Sequence, residues 1–230
     1  MYCAKTNSSN MRIALVVCMA AVVFTAAGEE WSLEVEPDAP RIVSCTVGRD
    51  WPARMTTHDV AAIDVNGAAT PVPWTLDTTG DQPELVFLAA GNRHFTLTPH
   101  SGGAQFAATA IPPPFSVALS NGEITVQNEF FALRHPAKGG GGLPGHLLFS
   151  QNGQHDDTLY FLDRLVRRNA KGGLDQFLVK SCADATTRIL LNTPLRAVVE
   201  TTATLQGVRL AYRYVYTAGS PVVRVETRHE

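Results

Sequence analysis

Three groups of residues have types and spacings that could do chemistry. His135, His146, His155, Asp156 and Asp157 surround one glycine-rich stretch and the polar residues after it, and offer imidazole and carboxylate ligands. Their spacing matches no tight ligand motif, so no metal is expected there, and no other cofactor. Tyr212, Arg213 and Tyr214, together with His135, are the types a polysaccharide lyase uses. A Tyr or His removes a proton beside a uronate carboxylate while a cation neutralises that carboxylate. The competing reading makes Tyr212, Tyr214 and Tyr216 the packed face of one strand. Trp51, Trp74 and Tyr160 are candidates for stacking on a sugar face, and Trp51 is the best placed because it falls in a polar stretch read as a loop.

Familiar catalytic signatures are absent. The chain contains no G-x-S-x-G and no phosphate-binding Gly-Lys-Ser/Thr loop, and no glycine-rich stretch opens a helical pattern as a dinucleotide fingerprint requires. Gly139–Gly142 invite a phosphate-loop reading, but no Lys-Ser/Thr follows and no helical pattern opens there. The four glycines read instead as a chain reversal. With 17% charged and 45% hydrophobic residues and a formal charge of −2, the composition is globular. The densest basic cluster, Arg164, Arg167, Arg168 and Lys171, is too small to suggest nucleic acid and reads as a solvated edge.

The elements that would position these groups are strands. Asn121–Ser150 organises the rest: Ile124, Val126 and Asn128 alternate with Thr125, Gln127 and Glu129, the two-residue period of a half-buried strand. Pro136 ends that run, and a second strand follows the glycines. Upstream, Trp31–Glu36, Arg41–Val47, Val60–Val65, Glu84–Ala89, Arg93–Thr98 and Gln105–Ala110 read as strands, and Asn66-Gly67 as a tight turn. Asp50–His58 reads as a loop, and Ala68–Leu76, with Pro71 and Pro73, as an edge or irregular strand. Downstream, Ser150–Thr158 reads as a polar loop. Leu159–Arg168 has helical spacing, but its β-rich surroundings make it a strand. Leu174–Lys180, Thr186–Leu191, Leu195–Leu205, Val208–Tyr216 and Pro221–Thr227 complete a meander.

The expected fold is therefore all-β: a small barrel-like domain over 29–110, a proline-rich connector over 111–118, and part of an antiparallel β-sandwich over 119–230. No covering element follows the meander, so the reading expects either the front of a larger protein or self-association through an exposed sheet.

At the other end, Lys5 and Arg12 precede the apolar run Ile13–Ala27, and small residues precede Glu29 and Glu30. This is the pattern of a secretory signal peptide over 1–27 or 1–28, with Met11 an alternative start. The run is short for a membrane span, which needs roughly 20 apolar residues, and no other segment is long enough. Val17 is too large for a lipoprotein signal at Cys18. The expected location is secreted or periplasmic. Removal of the leader leaves Cys45 and Cys182. In an oxidising compartment they either pair, for roughly 4–5 kcal/mol by the chain-entropy estimate, or stay as two buried thiols.

The spans Ile63–Leu76 with Val86–Leu97, then GEITVQNEFFALRHPAKGGG, then LAYRYVYTAGSPVVRVET, resemble the N-terminal part of secreted proteins of the exo-rhamnogalacturonan lyase and YetA type. The resemblance covers most of the chain after the leader and implies a small β-barrel-like domain leading into a galactose-mutarotase-like sandwich. It implies association with polysaccharide or oligosaccharide, and it places the family's catalytic residues in parts that have no matching position here. The leading expectation is an exported, non-catalytic carbohydrate-associated β module. The alternatives are a lyase or glycosidase acting on acidic polysaccharide, and a structural assembly domain.

Overall fold

Short apolar runs punctuated by Gly, Pro and Asn leave little room for helices, and the fold is all-β with several antiparallel sheets. The computed structural model describes residues 31–35, 42–99, 115–151, 154–159 and 163–230. The stretch read as a signal peptide, the strand expected over 105–110 and Pro112–Pro114 lie outside the described residues.

The first unit has two sheets around one core. β1 (Ser32–Glu34), β7 (His94–Pro99), β3 (His58–Ile63) and β4 (Ala69–Pro71) form one sheet in that order. β2 (Ile42–Thr46), β6 (Glu84–Leu88) and β5 (Trp74–Asp77) form the other. The two proline-bearing segments become β4 and β5, both at sheet edges, where a missing N–H costs no ladder bond. β6 is apolar on both faces for a reason. Leu85 and Phe87 enter the core of the first unit, while Val86 and Leu88 pack with Ile42, Leu195 and Ala218 against the second unit.

The second unit pairs β12 (Gln154–Leu159), β11 (His146–Gln151), β10 (Phe131–Pro136), β9 (Glu123–Gln127) and β8 (Ser116–Ser120) in one sheet. β15 (Thr186–Asn192), β16 (Arg196–Leu205), β17 (Val208–Thr217) and β18 (Val223–His229) form another, and β13 (Arg164–Arg168) with β14 (Leu174–Leu178) form a separate hairpin. Ile124, Val126, Phe131 and Leu133 pack against Val199, Ala203, Leu210 and Tyr212–Tyr216 alternates, giving a sandwich-like core.

The structure departs from the expectations in five places. Asp50–His58 is not a loop throughout: Trp51–Arg54 forms a single-turn helix, α1, with Pro52 in its first turn. Ser150–Thr158 is not a loop either, because β11 and β12 pair through it, with the register stepping past Asp157. β8 begins at Ser116, inside the stretch expected to be connector. The meander is not left bare: the first half of β16 (196–199) and the second half of β17 are buried on both faces, one by the first sheet of the sandwich and the other by the first unit.

The glycine stretch, finally, is more than a reversal. Gly139–Gly142 all have positive φ, and Gly141 and Gly142 are buried. A Cβ on Gly142 would lie 1.8 Å from Thr201 Cγ2, and one on Gly141 would lie 2.1 Å from the Val179 carbonyl oxygen. The backbone passes so close to Val179 and to Thr201 of β16 that only hydrogen fits. Gly139 and Gly141 donate to the carbonyls of Ala185 and Cys182, and Thr201 Oγ1 donates to the Gly142 carbonyl at 2.9 Å.

Candidate functional site

Strand alternation sorts the lyase-type residues onto opposite sides of β17. Tyr212, Tyr214 and Tyr216 point into the sandwich, where each is at most 3% exposed. His135, at 0% exposure, reaches them from β10. Its ring lies edge-on to Tyr214 at 4.6 Å, and its Nε2 shares a hydrogen bond with the Tyr216 hydroxyl. Tyr212 stacks on Tyr214 at 6.5 Å and donates to Asp163 Oδ2 at 2.6 Å. The result is a line of four rings that ends on one carboxylate.

The electrostatics of this line oppose proton abstraction. Burial holds the His135 imidazole down to about 3, so it is neutral across the physiological range. Burial pushes all three phenols up, and the Asp163 carboxylate raises Tyr212 and Tyr214 further. A catalytic tyrosinate needs the opposite, a cation nearby to lower its pKa. Arg213 cannot supply one, because it projects from the other face of β17.

That other face carries a second constellation, formed where the two units meet. Asp77 is at its centre with its side chain fully buried. It accepts from Arg213 Nη2 at 2.8 Å and from Arg196 Nη1 at 3.3 Å, and its second oxygen accepts from the Thr79 amide and hydroxyl. Arg196 also reaches Glu84 at 2.7 Å and Ser44 at 2.9 Å. Arg213 also binds Thr79 and Glu226, Arg224 binds Glu84 and Glu226, and Arg228 binds Asp81. Acids come from β5, β6 and the turn between them, with Glu226 of β18 the exception. The arginines come from β16, β17 and β18.

Burial raises Glu84, but hydrogen bonds from Arg224 and Arg196 outweigh it and hold the carboxyl at about 2. Asp77 is likewise lowered: burial opposes the shift, and the Thr79 hydrogen bonds with the two guanidinium charges overcome it. Every charge at the centre of this network has an internal partner, as a structural ion cluster requires.

The two sugar-stacking candidates among the described residues, Trp51 and Trp74, do not form a platform. Trp51 is 4% exposed: α1 turns its indole into the first core, edge-on to Trp31 at 5.3 Å. The loop expected to display it is the helix that buries it. Trp74 is half-buried, packs on the same core and donates from Nε1 to Asp59 at 3.2 Å. Tyr160 lies outside the described residues. Of the metal candidates, His146 stands opposite Arg134 on β11, and His155 and Asp156 stand opposite Ser150 and Phe149 on β12. Among the described residues no three His, Cys, Asp or Glu side chains come together to hold a metal.

Cys45 and Cys182 are both buried free thiols, the second of the two alternatives the sequence left open. β2 points Cys45 into the first core, and Cys182 belongs to the second. Burial raises the Cys45 thiol to about 12.

Sequence reasoning missed Asp163, Asp77, Glu84 and Arg196. A signal for Arg196 existed: it is the lone charge in the otherwise apolar LRAVV run, and a charge inside a strand buried on both faces demands a counter-ion. Nothing local identified Asp77 as that partner, because the two are 119 residues apart.

No protein-family model and no curated protein matches the sequence.

Proposed function

We propose that the chain is a non-catalytic, carbohydrate-associated β module of an exported protein. One observation carries the non-catalytic part. The groups chemically suited to lyase chemistry are sealed inside the sandwich, while the cation needed beside them is on the opposite face of β17 and neutralised by Asp77 and Glu226. General acid–base work needs both sets to converge on one accessible substrate position. Two units joined by an ion network and an apolar cluster suit a rigid spacer or presenting module. The carbohydrate and export parts rest on the resemblance and on the leader pattern.

The test incubates the chain, freed of residues 1–28, with a panel of acidic polysaccharides. It follows both unsaturated uronide absorbance and retention in affinity electrophoresis. The expected result is retention on at least one glycan with no unsaturated product. Product formation that is abolished by Tyr212→Phe would overturn the non-catalytic reading. No retention on any glycan would remove the carbohydrate assignment and leave a structural module.

A further inference from the structure

We propose that two copies of this chain associate through β18, joining their four-stranded sheets edge to edge in an antiparallel, two-fold arrangement centred on Val225. Among the described residues β18 has β17 as its single strand neighbour. An edge strand with a free row of N–H and C=O groups is a template for a further strand.

The phase of the ladder shows which groups are free. Arg209 and Glu230 exchange both backbone bonds, N–H to carbonyl at 2.8 Å and 2.9 Å. Bonded pairs in an antiparallel ladder recur every second residue, so Arg224, Glu226 and Arg228 also spend their backbone groups on β17. Val223, Val225, Thr227 and His229 therefore direct theirs outward. The side chains on this alternate set lie on the sandwich face, yet Val225 is 45% exposed where its β17 partner Tyr214 is buried. Val222, next to the strand, is 65% exposed.

Charge selects the partner and the register. Centring the pair on Glu226 would set Arg224 against Arg228 and Glu226 against its own copy, and like charges directly opposite are destabilising. Centring it on Val225 sets Arg224 against Glu226 of the second copy, twice by symmetry. The same register places Val225 against Val225 as a backbone-bonded pair and Val223 against Thr227, so the exposed Val225 side chains of the two copies cover each other. A register centred on Thr227 also joins opposite charges, but it sets Val225 against His229 and separates the valines. The occupant that satisfies phase, charge and apolar area together is a second copy of the same strand.

The experiment is light scattering coupled to size exclusion on the chain freed of residues 1–28, over a wide concentration range. A dimer is expected for the wild type. Val225→Pro removes an N–H that β17 does not use, and Val225→Lys adds charge where the two Val225 side chains meet, so each is expected to weaken the dimer at least tenfold. Far-UV circular dichroism confirms that both variants keep their fold. For the register, Val225→Cys is expected to give a disulfide-linked dimer on oxidation and Thr227→Cys to remain largely unlinked. A wild-type monomer at every concentration overturns the proposal. So does a dimer unaffected by both Val225 substitutions, or one that crosslinks through Thr227→Cys in preference to Val225→Cys.

Discussion

Gly142 is the residue at which the fold tolerates least. Its positive φ and its contact with Thr201 both exclude a side chain. Gly142→Ala is expected to cost about 3 kcal/mol or more, combining overpacking with left-handed strain. Gly145, where an added Cβ meets nothing within 4 Å, is the control: Gly145→Ala should change stability by less than about 1 kcal/mol. Urea unfolding of both variants measures the difference. Gln206 presents the opposite case. It occupies φ 53° in the two-residue turn between β16 and β17, beside Gly207 at φ 80°. This conformation favours Asn or Gly, so Gln206→Asn is expected to raise the unfolding free energy by about 0.5–1 kcal/mol without touching any packed group.

Strands β5, β6, β16 and β17 meet through Asp77, Glu84, Arg196 and Arg213, and their energetics follow from burial. Asp77→Asn would leave Arg196 and Arg213, with side chains 3% and 8% exposed, short of a counter-charge. The expected loss is about 3–5 kcal/mol in chemical unfolding. Acid titration of the wild type has a defined sign. Glu84 and Asp77 have folded-state pKa values below their unfolded ones, Glu84 at about 2. Their stabilisation is thus complete above the ordinary carboxylate range, near pH ~4–4.5, and is lost as pH falls toward 2. The melting temperature should drop over that window, with a shallower slope in Asp77→Asn. His135 adds a change of the same sign. Its folded pKa of about 3 lies below the ordinary ~6.5, so protonation of the unfolded state reduces stability as pH falls between those values.

The two units of the molecule share an interface that combines this ion network with Ile42, Val86, Leu88, Leu195 and Ala218. A contact of both kinds should couple their unfolding. Calorimetry of the wild type is expected to give one transition. Leu195→Ala, at a site 2% exposed, should lower stability by about 2–5 kcal/mol and begin to separate that transition into two. A wild type that already melts in two independent steps would show that the interface does not couple the units.

Much of this architecture was legible in local pattern. Period-two alternation placed β9, β16 and β17, and the tyrosine face of β17 followed from spacing alone. Turn chemistry located the reversal at Asn66-Gly67, where the glycine has positive φ. The readings left open share one physical cause. Whether Trp51 is displayed or buried, whether Cys45 meets Cys182, and whether Arg213 stands beside the tyrosines as a cation or is neutralised behind them depend on contacts between residues far apart in the chain. Period two says that Tyr212 and Arg213 face opposite ways, but it does not say what covers each face. That is decided when the first unit docks Asp77 and Glu84 on the arginine side and the glycine-bearing sheet closes over the tyrosines. Burial then turns a set of reactive-looking side chains into a packed core and an internally neutralised ion cluster.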